Sequence, residues 1–158
     1  MKSIMEKSDS LFMNTYGRFP AVMMEGRGCL LKDESGREYL DFLSGIAVCG
    51  LGHCHPEVTA AIIAQAGKLV HVSNLFYTAP QTELAELLVA NSFADRIFLA
   101  NSGAEVNEAA IKLARKHGGP SRYEIISLQG SFHGRTLATV AATGQEKFHK
   151  GFEPLPEG

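Results

Sequence analysis

One passage constrains this chain more than any other: Arg96-Ile97-Phe98-Leu99-Ala100 runs without a linker into Asn101-Ser102-Gly103-Ala104-Glu105. The first part reads as a short buried strand. Beyond Glu105 the apolar residues Val106, Ala109, Ala110, Leu113 and Ala114 recur at helical spacing. A second apolar run, Tyr123-Glu124-Ile125-Ile126-Ser127-Leu128, follows the helix. Strand, helix and strand in this order form a parallel crossover, so the chain is expected to be an α/β protein. The helix start then lies at the carboxyl edge of the sheet, where open α/β folds place their ligands.

The turn has the chemistry of an anion site. Ser102 or Asn101 can cap the helix, and Gly103 turns tightly with no Cβ in the way. The N–H groups of the first turn then point outward at the positive end of the helix dipole, which favours a phosphate by roughly 1 kcal/mol. Small residues are common at such turns without any ligand, and Glu105 complements the dipole by itself. A second stretch decides between these readings. Ser131-Phe132-His133-Gly134-Arg135-Thr136 follows the next strand on the same sheet edge. An aromatic ring covers a flat heterocycle, a guanidinium fork matches a carboxylate, and Gly134 permits close backbone approach. Three features converging on one edge point to a flat, phosphorylated cofactor and a carboxylate substrate.

Composition narrows the partners. With Lys+Arg 15 against Asp+Glu 17 and a formal net charge of −2, there is no polyanion-binding signature, and nucleic acid is not indicated. No apolar run reaches the length of a membrane span, and Met1-Lys2-Ser3-Ile4-Met5-Glu6-Lys7 lacks the apolar core of a secretory signal. Cys29, Cys49 and Cys54 are sparse and odd in number, so a reducing, cytoplasmic setting is the default. His53-Cys54-His55 invites a metal reading, but three adjacent residues do not converge on one ion and no second cluster accompanies them. No metal site is expected. His55 or its neighbours are instead expected to cap a helix, because Pro56 suits the first helical position and Val58, Ile62, Ala66 and Leu69 form an apolar stripe. Ala79-Pro80 opens another helix in the same way.

Upstream, Cys29 to Lys32 and Arg37 to Phe42 flank Asp33-Glu34-Ser35-Gly36 as a β-hairpin. The expected division is therefore 1–52, a hairpin-bearing segment, and 53–158, the beginning of a parallel α/β layer. Only part of such a layer is present, and the chain is expected to belong to a larger fold.

At this point the residues resemble a known family. Asn101 to Arg115 together with Phe132 to Leu137 look like the class III pyridoxal-phosphate aminotransferases of fold type I, with the nearest likeness to the branch that transaminates acetylornithine. Tyr39-Leu40-Asp41-Phe42, Gly45-Ile46-Ala47-Val48, Leu51 to Pro56 and Ser73 to Tyr77 support the resemblance, which runs from about Tyr16 to the last residue. It implies the N-terminal part of that architecture, with 1–52 from the small domain and 53–158 opening the large, cofactor-binding one. The implied cofactor is pyridoxal 5′-phosphate. Ser102 with the backbone amides of Gly103 and Ala104 would hold its phosphate, Phe132 would stack on its ring with His133 beside it, and Arg135 would take the substrate α-carboxylate near Tyr16. Ile46 stands where ornithine δ-aminotransferases commonly carry a tyrosine, and an apolar residue there suits an acylated side chain. Ser73 and Asn74 would lie at a homodimer interface.

The reaction implied is N-acetylornithine plus 2-oxoglutarate to N-acetylglutamate semialdehyde plus glutamate, a step of arginine biosynthesis, with ornithine, succinylornithine and 4-aminobutyrate as alternative donors. The family's Schiff-base lysine and its ring-nitrogen aspartate would lie after Gly158, and Lys112, Lys147 and Lys150 do not match that lysine. The 158 residues alone are thus expected to be inactive. A non-catalytic phosphate-ligand or interaction module is the other reading.

Overall fold

A computed structural model, which describes residues 3–158, places the chain in two units, Met1–Phe76 and Tyr77–Gly158. In the first, α1 (Ile4–Leu11) is set by a reciprocal cap. The Ser3 hydroxyl accepts from the Glu6 N–H at 3.2 Å, and the Glu6 carboxylate accepts from the Ser3 N–H at 2.7 Å. Three antiparallel strands follow in the order β1 (Met23–Arg27), β2 (Leu30–Asp33) and β3 (Glu38–Leu40). The hairpin anticipated from the sequence is β2–β3, with Leu31 opposite Tyr39, and β1 adds a strand on its other side.

Asp33 organises the hairpin turn. One carboxylate oxygen accepts from the Ser35 hydroxyl, the Ser35 N–H and the Arg37 N–H, and the other accepts from the Tyr39 hydroxyl. These donors, the Ser35 hydroxyl first, hold its pKa down to about 2.

The His-Cys-His segment closes a loop onto the sheet. His53 exchanges two backbone hydrogen bonds with Gly28, at 2.9 and 2.8 Å. A Cβ on Gly52 would fall 2.9 Å from the Gly28 backbone, which is why glycine stands at that crossing. The His53 Nε2 lies 2.6 Å from the Asp41 carboxylate, whose other oxygen accepts the N–H groups of Leu43 and Ser44. His53 is the main cause of a lowered Asp41 pKa. Between the two residues runs a left-handed turn: Ser44, Gly45, Ile46 and Ala47 have φ of 49°, 60°, 56° and 66°. Left-handed backbone costs roughly 1–2 kcal/mol for each non-glycine residue, and the Asp41 carboxylate helps to hold it.

Helix α2 (Pro56–Ala66) begins at the expected proline, with His55 at the N-cap position. The His55 side chain makes no capping bond, and its buried Nδ1 has no partner. His55 thus holds the expected cap position through its backbone alone. Pro56 at the first helical position brings a pre-set φ and leaves no N–H of its own to satisfy.

The second unit contains α3 (Ala79–Ala90), α4 (Gly103–Gly118) and α5 (Leu137–Ala142), followed by a 3-10 turn at Glu146–Phe148. The segments 96–100 and 123–128, anticipated as strands, enter no ladder among the described residues. A strand exists only by pairing, and these two do not pair with each other. The first parallel contact is an isolated bridge between Gln129 and Gly144. Gly144 is required there, because a Cβ would overlap the Leu128 carbonyl and meet the Gln129 Cα at 3.0 Å.

The tightest packing sits around α5 and its C-cap: among the described residues Val140 is the buried apolar residue, and Thr139 and Thr143 are the fully buried side chains. Elsewhere the apolar faces stand open. Leu113, on the stripe read from the sequence of α4, is 70% exposed and Ile126 is 97% exposed.

Candidate active site

Helix α4 begins with Ser102 as its N-cap, in extended backbone, and the Ser102 hydroxyl accepts the Glu105 N–H at 3.2 Å. The sequence left Asn101 and Ser102 as alternatives for this role. Asn101 has another one: the Glu105 carboxylate folds back to accept its backbone N–H at 2.7 Å and its side-chain amide at 3.4 Å. Glu105 thus locks the turn rather than facing a ligand.

The N–H groups of Gly103 and Ala104 occupy the first two helical positions, where no helix carbonyl can reach them. No described residue accepts from either. The Ser102 hydroxyl, having accepted one bond, still has its hydrogen to donate. In addition, a Cβ built on Gly103 meets nothing within 4 Å. Two orphan amides, one hydroxyl hydrogen and open space at the positive end of a helix make a cradle that fits a phosphate.

Gly134 brings the second motif to this helix start. Its φ is 138°, and a Cβ there would lie 2.6 Å from Thr139 Oγ1, 2.8 Å from Ala104 Cβ and 3.0 Å from Ala104 Cα. Only a residue without a side chain lets the Phe132–Thr136 loop dock on the first turn of α4 and on α5 together. The loop is also held by hydrogen bonds. The His133 carbonyl accepts from Asn107 Nδ2 at 2.7 Å, the His133 N–H donates to Thr143 Oγ1 at 3.0 Å, and the Thr136 hydroxyl donates to Glu108. Thr136 then caps α5 through a box with Thr139.

Phe132 is half-exposed and meets Phe148 edge-on, with centroids 5.4 Å apart and planes at 63°. Lys147 Nζ stands 4.9 Å from the centroid of that second ring. Arg135 follows Gly134 at an exposed position, and Tyr16 is exposed in the first unit. The structure thus brings Ser102, Gly103, Ala104, Phe132, His133 and Gly134 into one assembly within the second unit. Such an assembly can bind an anion through backbone amides, and the loop docked on it carries a half-exposed aromatic ring.

Asn107, Thr143 and Phe148 did not emerge from the sequence. A signal for one of them was present. Ala104, Asn107, Glu108 and Ile111 share a helix face, and polar residues in the middle of a face that is otherwise small and apolar mark a partner loop.

Comparison with known proteins places these residues in a wider setting. The family profile "Aminotransferase class-III" matches residues 12–158. An acetylornithine aminotransferase of Gloeobacter violaceus is 57% identical over 150 residues, which cover 92% of this chain and 38% of that protein. Among solved structures, the ornithine aminotransferase of Toxoplasma gondii ME49 superposes with a TM-score of 0.92 at 28% identity, covering 100% of this chain and 39% of that one. The N-acetylornithine aminotransferase of Stenotrophomonas maltophilia K279a is 47% identical, with a TM-score of 0.73 over 83% of this chain and 36% of its own. The α/β architecture anticipated from the sequence, the N-terminal part of fold type I, is the one these structures share. The chain spans about two-fifths of the length of the curated relatives it matches.

Proposed function

Because the chain belongs to the class III aminotransferases, we propose that it forms the phosphate-, ring- and carboxylate-binding portion of a longer enzyme. That enzyme transfers the amino group of N-acetylornithine to 2-oxoglutarate, giving N-acetylglutamate semialdehyde and glutamate. Members of this class depend on pyridoxal 5′-phosphate, which supplies an electron sink for the carbanion left when the α-proton departs. The observation that carries the proposal is the pair of unclaimed amides at Gly103 and Ala104, with the Phe132 loop docked beside them through Gly134.

In this reading each residue orients the reactants. Gly103, Ala104 and the Ser102 hydroxyl bind the phosphate. Phe132 covers one face of the ring and excludes water from it, with His133 as the fixed backbone next to it. Arg135 takes the α-carboxylate of donor and acceptor in turn, and the family resemblance assigns Tyr16 to substrate binding as well. Placement of this kind lowers the barrier by removing orientational freedom before reaction. The lysine that moves the α-proton is assigned to a part of the enzyme outside these 158 residues, and none of Lys112, Lys147 and Lys150 takes that role.

Ile46, 90% exposed on its left-handed turn, is assigned to the donor side chain, where an apolar residue favours an acylated amine over a free one. The division into 1–52 and 53–158, a homodimer with Ser73 and Asn74 at its contact, and a cytoplasmic setting complete the proposal. Three free cysteines accord with a reducing compartment, and no described helix is long and apolar enough to cross a membrane.

Single-turnover rates of the full-length protein with N-acetylornithine, succinylornithine, ornithine and 4-aminobutyrate test this assignment. N-acetylornithine is expected to react fastest. Faster reaction of free ornithine would overturn the donor, and no reaction with any of them would overturn the function.

A further inference from the structure

The peptide groups on either side of the half-exposed Phe132 ring are tied down, although none of the side chains responsible belongs to the phosphate cradle. Ser131 offers its hydroxyl to the Gly144 N–H at 3.2 Å and its carbonyl to Gln145 Nε2 at 3.1 Å. On the other side, His133 is gripped twice, by Thr143 at its N–H and by Asn107 at its carbonyl. Thr143 is fully buried, and its own hydrogen goes to the Thr139 carbonyl at 2.8 Å. With that hydrogen committed, the oxygen can act only as an acceptor, and one of its two lone pairs takes the His133 N–H. Asn107 stands on α4 one turn beyond Ala104, so the same helix that offers the cradle amides also sets the loop.

We infer that Asn107 and Thr143 are positioning residues that fix the His133 peptide and thereby pre-set the Phe132 ring over the cofactor site before any ligand arrives. The inference rests on the assignment of Phe132 to the cofactor ring. Holding one residue's backbone in a single conformation is worth about a tenfold change in an equilibrium. A loop already held makes no such demand when a ligand binds. The geometry also separates the two residues' roles. An aspartate at 107 would keep the size of Asn107 but offers only acceptors, so it cannot serve the His133 carbonyl. A serine at 143 would keep the hydroxyl that a valine removes.

The test uses the full-length protein and three variants: Asn107→Asp, Thr143→Val and Thr143→Ser. In the cofactor-free state, amide hydrogen exchange at His133 is expected to accelerate about tenfold in Asn107→Asp and Thr143→Val, and to stay near the parent rate in Thr143→Ser. The dissociation constant for pyridoxal 5′-phosphate is expected to rise by about the same factor in the first two. The circular dichroism band induced in the bound cofactor should weaken with it and recover in Thr143→Ser. Unchanged exchange and unchanged cofactor affinity in Asn107→Asp would overturn the inference, as would failure of Thr143→Ser to restore either. Should Thr143→Val not fold, the Asn107→Asp and Thr143→Ser results decide alone. If the parent protein binds no cofactor, the proposed function falls, and the exchange rates still decide the clamp.

Discussion

Replacing Gly134 by alanine tests the junction on which the site depends. The new Cβ would stand 2.6 Å from Thr139 Oγ1 and 2.8 Å from Ala104 Cβ, in a backbone conformation, φ 138°, that side chains rarely adopt. Carbon atoms rest at about 3.5–4.0 Å, so the loop must move away from α4 by roughly 1 Å or the helix start must yield. Overpacking of this kind costs about 1–3 kcal/mol, and the disfavoured backbone adds about 1–3 kcal/mol. A loss of at least 2 kcal/mol is expected, and an equilibrium urea titration would measure it. Because Ala104 carries one of the cradle amides, cofactor affinity should fall together with stability. Gly103→Ala is the control: its Cβ meets nothing within 4 Å, so stability should hold while phosphate binding declines. A Gly134→Ala variant with parental stability and parental cofactor affinity would refute the argument that this glycine joins the two motifs.

Two further outcomes follow from the geometry. The donors around Asp33 lower its pKa to about 2, so its carboxyl resonance should titrate well below the ordinary value of 3.8. A depressed carboxyl contributes stability above the unfolded value, and that contribution is lost as pH falls from near 4 through about 2; Asp33→Asn should flatten the stability profile in that window. In the full-length enzyme, Arg135→Ala is expected to raise KM for both the amino donor and 2-oxoglutarate with the cofactor retained, and unchanged steady-state kinetics would reject the carboxylate role.

What could be read in advance from these residues, and what could not, follows the range of each interaction. Helix starts at Pro56, at Ala79-Pro80 and at Ser102 rest on groups within a few residues of one another, and all appear in the structure. The turn around Asp33 is local in the same way. The left-handed run from Ser44 to Ala47 is different, because nothing in serine, isoleucine or alanine favours positive φ. Its support comes from Asp41, which in turn is held by His53 twelve positions on. Parallel strands are equally non-local, and the apolar runs at 96–100 and 123–128 carry strand composition without a pairing partner among the described residues. The site divides along the same line. Gly103 and Phe132 announce themselves through residue type and order, whereas the bond from Asn107 to His133 spans 26 positions and needs the folded loop to exist.

Phosphate recognition at the start of α4 is the central claim, and the most direct measurement compares two ligands that differ only in that group. Pyridoxal 5′-phosphate and pyridoxal are titrated into the full-length protein and into its Gly103→Val variant, with affinity read from the cofactor absorbance. The parent is expected to prefer the phosphorylated form by about tenfold or more, and most of that preference should vanish when valine blocks the cradle. Equal preference in parent and variant would contradict the account.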